Sequence, residues 1–197
     1  MSESSLNVLA VAGSFHRESV TRIVVNHLAG QLRQHGCSVD LLDLQAQPLP
    51  LYNPETAADT PGFETIQTRV ERADVFILGT PDYHGSLSGT LKNFLDHFWR
   101  EFAGKLFATV VASHEKGLTV TDQLRTIARQ CYAWTLPYGV SFADGADVKD
   151  GQIIGDAFKN RLEMMIRDVR VYGALLAEQR HTDLAGTEPG FLARLRK

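Results

Sequence analysis

Continuous apolar runs alternate along the chain with longer stretches in which apolar residues recur every three or four positions. Three of the runs are apolar almost throughout: residues 6–12, 75–78 and 106–112. Runs this short and continuous are typical of strands that are covered by helices on both faces, in the middle of a parallel sheet. We therefore predict that these three segments form the interior of a sheet.

Two further segments carry more polar residues and favour the edges of the same sheet. In residues 39–44 the apolar positions are interrupted by Asp40 and Asp43, so one face is wetter. Residues 134–142 alternate, with Trp134 expected on the apolar face, and they contain Pro137, which cannot donate to a ladder hydrogen bond. With the second and fifth strands at the edges, the predicted order is 2-1-3-4-5, as in flavodoxin-like folds.

The intervening stretches predict helices with one apolar stripe each. The stripes fall in residues 20–32, 87–102, 124–131 and 158–176, and a shorter helix is predicted over residues 63–72. Alternation of strands and helices predicts right-handed crossovers, and hence an α/β fold with a doubly wound, five-stranded parallel sheet. We expect one domain over residues 1–180. Residues 181–197, which contain Pro189 between two glycines, are expected to form a C-terminal tail.

Composition narrows the class of protein. The 197 residues suit one domain, and a net charge of −3 gives no electrostatic reason to expect nucleic acid or a membrane as a partner. The apolar residues 6–12 follow Glu3 and no basic segment, so we expect no secretory signal and a cytoplasmic location. Cys37 and Cys131 form no CxxC or zinc spacing, and Leu118 stands where an HExxH motif would need its second histidine. We therefore predict no metal site.

The loop after the first predicted strand has the groups that a phosphate monoester needs. Ser14, Ser19 and Thr21 offer hydroxyls, and the start of the next helix offers unpaired backbone amides at its positive end. Arg17 and His16 add positive charge. The loop is neither GxGxxG nor GK[ST], which disfavours a dinucleotide site and a nucleotide-hydrolysing P-loop. A capping serine beside a surface arginine would explain the same residues more simply.

The loop after the third predicted strand is irregular and suits a planar ligand. Pro81 and Gly85 set its backbone, and Tyr83 offers an aromatic wall. We expect Ser86 to cap the helix that follows. Gly89 stands in the first helical turn, where a glycine predicts close packing or close approach of a ligand.

Together the two loops resemble the NADPH-dependent FMN reductase family, whose fold is flavodoxin-like. The resemblance rests on GS-x-x-x-x-S-x-T after strand one and P-x-Y-H-G-S-x-x-G-x-L-K-N-x-L-D after strand three, and it extends over about residues 6–177. It implies that residues 1–180 form an FMN-binding domain. It further implies phosphate contacts from Ser14, Ser19, Val20 and Thr21, and contacts to the ribityl chain and ring from Pro81, Asp82, Tyr83, His84 and Gly85.

The chain departs from the family pattern in two loops. His16 stands where the family usually has arginine, and because arginine is always charged we expect the neighbouring Arg17 to supply the main positive charge instead. The loop after strand four has no double glycine, which leaves Ser113, His114 and Gly117 as the expected ring contacts.

The resemblance implies an FMN-dependent oxidoreductase that passes hydride from NADPH or NADH to a small acceptor. Quinones, free flavins, azo and nitro compounds and metal oxyanions all belong to the range of acceptors. No side chain need serve as a catalytic acid or base, because the cofactor carries the chemistry. Two alternatives stay open: a flavodoxin-type electron carrier without turnover, and a flavodoxin-like interaction protein without flavin.

We also expect a homodimer or homotetramer with the flavin near a subunit boundary. Phe94, Phe98, Trp99 and Phe102 cover more than one stripe of the helix after strand three, and a broad apolar surface is commonly buried by twofold association. Members of the family that the chain resembles assemble in this way. The simpler alternative is that all four aromatic residues pack inside one subunit.

Overall fold

The computed structural model describes residues 5–59 and 61–196, and its helices and strands alternate along most of the chain. The strands are β1 (Asn7–Ala12), β2 (Ser38–Asp43), β3 (Val75–Tyr83), β4 (Ser86–Leu87), β5 (Leu106–Ala112), β6 (Trp134–Thr135), β7 (Val140–Phe142), β8 (Val148–Lys149) and β9 (Gln152–Ile153). The helices are α1 (Val20–Gln34), α2 (Phe63–Arg72), α3 (Gly89–Asp96), α4 (Leu118–Gln130) and α5 (Asp156–Ala185).

The main sheet is parallel and doubly wound, as predicted. Its order is β2-β1-β3-β5, and β6 and β7 pair in succession with the outer side of β5. One apolar cluster packs α1 and α5 against one face, and a second packs α2, α3 and α4 against the other. Continuous burial of β1, β3 and β5 explains their apolar runs, and β2 and the fifth strand lie at the edges as expected.

The fifth strand is interrupted, which the alternating pattern did not predict. Its two parts, β6 and β7, are separated by a segment that contains Pro137 and Gly139. Proline has no amide to donate, and a Cβ at Gly139 would lie 2.8 Å from Thr109 Oγ1. Trp134 is exposed and does not share the buried face of Leu136 and Phe142.

The helix after β3 begins two residues later than expected. Ser88, not Ser86, is its N-cap: the Ser88 hydroxyl accepts a hydrogen bond from the Leu91 amide (3.1 Å) and donates one to the Gly13 carbonyl (2.6 Å). Ser86 belongs to β4. A Cβ at Gly89 would meet nothing within 4 Å, so the close packing expected at this glycine was wrong, while close approach of a ligand stays a prediction.

Most of the aromatic residues after β3 are internal. Phe94, Phe98 and Phe102 are buried, and Phe102 packs edge-on against Phe107 of β5. Trp99 alone of the four is exposed, at 46%. The broad apolar surface expected here was therefore wrong for three of its four members, which belong to the apolar core on this face of the sheet.

The chain beyond residue 180 is more ordered than a tail. Helix α5 continues to Ala185, so the expected boundary falls inside it. The following segment turns back, and Leu192 is buried against Gly104, just before β5. Among the described residues, no helix combines the length and apolar character that a membrane crossing requires.

Candidate active site

An open pocket of about 370 Å³ lies at the carboxyl ends of β1, β3 and β5, where the three loops singled out by the sequence converge. Residues from all three loops line it: Ser14, His16, Glu18, Ser19, Val20, Thr21, Pro81, Asp82, Tyr83, Ala112, Ser113 and His114, together with Asp144. This edge of a doubly wound sheet, at the point where strand order reverses, is where ligands bind in such folds.

One end of the pocket is built from hydroxyls and the start of α1. The buried Ser14 and Ser19 oxygens each accept a backbone hydrogen bond, from the amides of His16 (3.3 Å) and Arg22 (3.2 Å). Because each oxygen already accepts, each O–H remains able to donate to a ligand. Thr21 is also buried. The first amides of a helix have no partner within it, so this end of the pocket suits an anion.

The structure distinguishes the two cationic candidates of the first loop. His16 lines the pocket, whereas Arg17 does not and is exposed to solvent. The carbonyl of Arg17 accepts a hydrogen bond from Arg22, on the outer side of the loop. The side chain that the sequence favoured as the main positive charge therefore lies outside the pocket wall.

The other end is a tight β-hairpin. Tyr83 pairs with Ser86 in antiparallel register, and the two residues between them, His84 and Gly85, have φ values of +57° and +77°. This is the geometry of a type I′ turn, whose twist matches that of the strands it joins. Tyr83 lines the pocket and is 52% exposed, while His84 and Gly85 form the tip and do not line it.

Asp82 ties the hairpin to the loop after β5. One carboxylate oxygen accepts from the Gly85 amide (2.8 Å), and the other accepts from the Ser113 hydroxyl (2.9 Å). The residue was predicted as a ligand contact, and it does line the pocket, but its oxygens also hold two loops together. Such a carboxylate stiffens the wall that a ring would face.

Gln123 of α4 supports the hairpin from behind, and sequence reasoning missed it. Its side-chain oxygen accepts from the Ser86 hydroxyl (3.0 Å) and the Leu87 amide (3.3 Å), and its side-chain nitrogen donates to the Gly85 carbonyl (3.2 Å). A glutamine 38 residues further along the chain carries no local signal of this role.

Of the three residues predicted as ring contacts in the loop after β5, two line the pocket. Ser113 and His114 line the pocket, but Gly117 does not. Gly117 has φ +58°, and a Cβ there would lie 2.9 Å from Val111 Cγ1, so this glycine serves the close turn into α4. Glu18, Ala112 and Asp144 also line the pocket and were not predicted. Asp144 follows β7, which pairs with β5 as the predicted strand order requires.

A family model for NADPH-dependent FMN reductases matches residues 6–147. The chain belongs to this family. The matched range includes both motifs on which the resemblance rested, which confirms it. Two relatives are a NADPH azoreductase from Bacillus sp. (strain OY1-2), 29% identical over 88% of this chain and 96% of that protein, and an FMN-dependent NADPH-azoreductase from Staphylococcus haemolyticus (strain JCSC1435), 29% identical over 82% and 92%.

Solved structures agree on the fold of this NADPH-dependent FMN reductase family member. The NADH:FMN oxidoreductase EmoB in its apo form has a TM-score of 0.66 at 18% identity, covering 85% of this chain and 90% of its own. The NAD(P)H:(acceptor) oxidoreductase FerB from Paracoccus denitrificans has a TM-score of 0.66 at 20% identity, covering 88% and 98%. The flavodoxin-like prediction is confirmed.

The pocket of this family member fits FMN at both ends. Its volume lies in the range of small-molecule sites, and two buried hydroxyls face it beside a helix start, as a phosphate requires. Tyr83 and the hairpin give a flat wall at the other end. No group of three or more His, Cys, Asp or Glu side chains placed to hold a metal occurs within residues 5–59 and 61–196.

Proposed function

We propose that the protein is an FMN-dependent NAD(P)H oxidoreductase that reduces small acceptors. The observation that carries the proposal is the convergence, in one pocket, of an anion-binding end at the start of α1 and an aromatic hairpin end after β3. Membership of the NADPH-dependent FMN reductase family supports it independently. FMN, when bound, supplies the redox chemistry, taking hydride from NADPH or NADH and giving electrons to the acceptor.

The residues at the two ends have separate roles in the proposal. Ser14, Ser19 and Thr21, with the amides at Val20 and Thr21, bind the phosphate, and His16 contacts it in preference to Arg17. The ring and ribityl chain lie along a wall formed by Pro81, Asp82, Tyr83, Ser113 and His114, while His84, Gly85 and Gly117 set the backbone turns behind it.

No side chain is assigned as a proton donor or acceptor. Asp82 belongs to the hairpin, and its two carboxylate oxygens already accept hydrogen bonds from the Gly85 amide and the Ser113 hydroxyl. The protein's contribution is then to hold the cofactor and to present one open face of it. Azo compounds and quinones belong to the proposed acceptor range, in line with the names of its relatives and structural neighbours.

We further propose a cytoplasmic homodimer whose second copy covers the mouth of the pocket. Tyr83 lines the pocket and is exposed, and Leu118, the first residue of α4 after the loop that follows β5, is 65% exposed. A second exposed apolar stripe, Val171, Tyr172 and Leu175 on α5, would support pairing of dimers into a tetramer. Sedimentation at micromolar concentration tests this, since Leu118→Glu should give monomers and a wild-type monomer would reject the dimer.

The function is tested on purified protein. A yellow protein that oxidises NADPH when a quinone or azo dye is added supports the oxidoreductase. A yellow protein without turnover would indicate an electron carrier, and failure to take up FMN would indicate an interaction protein. In the site test, changing Ser14 and Ser19 together to Ala should weaken FMN binding by about 2 kcal/mol or more, at about 1 kcal/mol for each neutral hydrogen bond. The exposed Ser38→Ala serves as control.

A further inference from the structure

Arg22, in the first turn of α1, holds the outer side of the first loop. Its Nη1 donates to the carbonyl oxygens of His16 (3.1 Å) and Arg17 (3.0 Å), and its Nη2 donates to that of Ser14 (3.3 Å). One guanidinium group therefore fixes three peptide units of the segment that the sequence assigns to phosphate binding. The planar, five-donor geometry of arginine allows this, whereas lysine offers a single point of contact.

Two side chains at the carboxyl end of β2, those of Asp43 and Gln45, hold the guanidinium of Arg22 in place. Asp43, the last residue of β2, accepts from Arg22 Nε (2.6 Å) and Nη2 (3.4 Å), and the Gln45 side-chain oxygen accepts from Nη2 (2.7 Å). Gln45 also donates to the carbonyl of Phe15 at 2.9 Å. Asp43 offsets the charge of Arg22, so this arginine supplies hydrogen-bond geometry and little net positive charge.

The network turns the carbonyl groups of four consecutive peptide units toward Arg22 and Gln45. The carbonyls of residues 14, 15, 16 and 17 all bond to Arg22 or Gln45, neither of which lines the pocket. In a trans peptide the carbonyl and the following amide point in opposite directions, and no cis peptide occurs among the described residues. The amides of residues 15–18 therefore point away from Arg22. One of them, that of His16, donates to Ser14 Oγ on the pocket wall.

We propose that Arg22, with Asp43 and Gln45, is a positioning network that presents the donor side of the first loop to the FMN phosphate. Arg22 does not touch the phosphate; it holds the carbonyls outward so that amides and the Ser14 and Ser19 hydroxyls remain on the inner side. Its own backbone amide bonds Ser19 Oγ, which joins the network to the helix cap. The proposal rests on the proposed function, because it assumes that FMN is the ligand.

The test compares FMN with riboflavin, which has the same ring and no phosphate. Both are titrated into full-length protein freed of flavin, and their dissociation constants are measured by fluorescence quenching. Wild type should prefer FMN. Arg22→Ala and Arg22→Lys should each lose about tenfold or more in FMN affinity, as expected when several charge-assisted hydrogen bonds are broken. Riboflavin affinity should change by less than about twofold, since the ring wall is untouched.

Arg69 of α2 provides a matched control. It makes contacts of the same kinds, with Asp40 (2.7 and 2.9 Å), the Gln47 side chain (2.7 Å) and one backbone carbonyl, that of Leu41 (2.7 Å), against the same edge strand but away from the pocket. Arg69→Ala should lower the unfolding midpoint and leave the ratio of FMN to riboflavin affinity unchanged. Gln45→Ala, which keeps the Arg22–Asp43 ion pair, should lower the ratio by a smaller factor than Arg22→Ala.

The outcomes separate this proposal from the proposed function. Wild-type FMN affinity in Arg22→Lys would overturn it, because charge alone would then suffice. An equal loss of both flavins in Arg22→Ala, or an equal fall of the ratio in Arg69→Ala, would also overturn it. If the Arg22 variants do not fold, an unchanged ratio in Gln45→Ala overturns it and a reduced ratio supports it. Failure of wild type to bind either flavin would reject FMN as the ligand itself.

Discussion

The tip of the hairpin after β3 requires an unusual backbone conformation of two residues. His84 and Gly85 both have positive φ, as a two-residue type I′ turn requires, and a side chain at either position is confined to the left-handed region. Glycine adopts this region without strain, and asparagine tolerates it better than most other residues. The Asp82 carboxylate adds a hydrogen bond to the Gly85 amide. The hairpin therefore owes its shape to its local sequence.

Substitutions at the tip should follow this conformational ranking. Gly85→Ala should lower the free energy of unfolding by about 1–2 kcal/mol, the strain of a left-handed alanine, whereas His84→Asn should be neutral or stabilising. Urea unfolding measures both. Gly190→Ala, where a Cβ would meet nothing within 4 Å, is the control and should have little effect. Equal stability of Gly85→Ala and wild type would contradict the turn assignment.

Among the elements, α1 and β3 approach unusually closely beneath the phosphate end. A Cβ at Gly79 of β3 would overlap Val25 Cγ2 and would lie 3.1 Å from Thr21 Cγ2. The Gly79 carbonyl also accepts from the Gly13 amide at 2.8 Å, at the exit from β1. A side chain at position 79 would therefore push the start of α1 away from the sheet.

Gly79→Ala should consequently lower stability and flavin affinity together. We expect a loss of about 1–3 kcal/mol in the free energy of unfolding, as for other overpacked cores, with weaker FMN binding because Thr21 moves. Gly30→Ala, in α1 at a position where a Cβ would meet nothing within 4 Å, should be neutral or stabilise by up to about 1 kcal/mol. Unfolding curves and FMN titrations of the pair decide this, and a destabilised Gly79→Ala with wild-type FMN affinity would contradict the coupling.

A buried lysine, Lys105, binds the carboxyl end of α2. Lys105 Nζ donates to the carbonyls of Val70 and Glu71 at 2.8 Å each, in the last turn of α2, where the negative end of the helix dipole lies. Its side chain is 2% exposed, and this burial, with nearby Arg180, lowers the pKa of Lys105 to about 7 from 10.5. The unfolded chain therefore holds this proton over a pH range in which the native protein has released it.

The contribution of Lys105 to the free energy of unfolding should accordingly rise as the pH increases above 7. Between pH 7 and about 10 the unfolded state binds the extra proton, so the free energy of unfolding increases by at most about 1.4 kcal/mol for each pH unit. Below pH 7 both states are protonated and the contribution is flat. The measurement is the difference between wild type and Lys105→Met in urea unfolding at pH 6, 8 and 9.5, which cancels groups common to both. A pH-independent difference would contradict the lowered pKa.

Across the whole molecule, the site and the C-terminal segment lie at opposite ends of the sheet. The pocket contains Ala112 at the carboxyl end of β5, while Leu192 packs against Gly104 before its amino end. The seven residues of the strand separate the two by about 20 Å. Phe191 stacks on Tyr132 at this distal end, and Arg194 lies 4.1 Å from the centre of the same ring.

Truncation after Ala185 should therefore lower stability without weakening FMN binding. Loss of the buried Leu192 side chain alone removes about 1.5–3 kcal/mol of apolar burial, which lowers the melting temperature by several degrees. Leu192→Ala in the full chain should reproduce much of this change. Thermal unfolding and FMN titration test it, and a fall in FMN affinity in the truncated protein would show that the two ends are coupled.

The sequence by itself determined the layout of the sheet and the loops that meet at its carboxyl edge. Strands buried on both faces must be apolar throughout, so the interior positions of β1, β3 and β5 are visible in the pattern, and the polar residues of β2 mark it as an edge. The phosphate and hairpin motifs are local, because a helix start and a two-residue turn depend on adjacent residues. Most of the predicted contact residues consequently line one pocket.

Only the tertiary structure decided which residues support these loops. Arg22 meets Asp43 and Gln45, and Gln123 meets the hairpin, across more than twenty residues of chain. Phe98 is buried and stacks on Phe63 of α2, a contact across the fold that the periodicity of its own segment does not show. Short-range patterns report which faces are buried, but partners across the fold are chosen by packing, which the order of residues alone does not display.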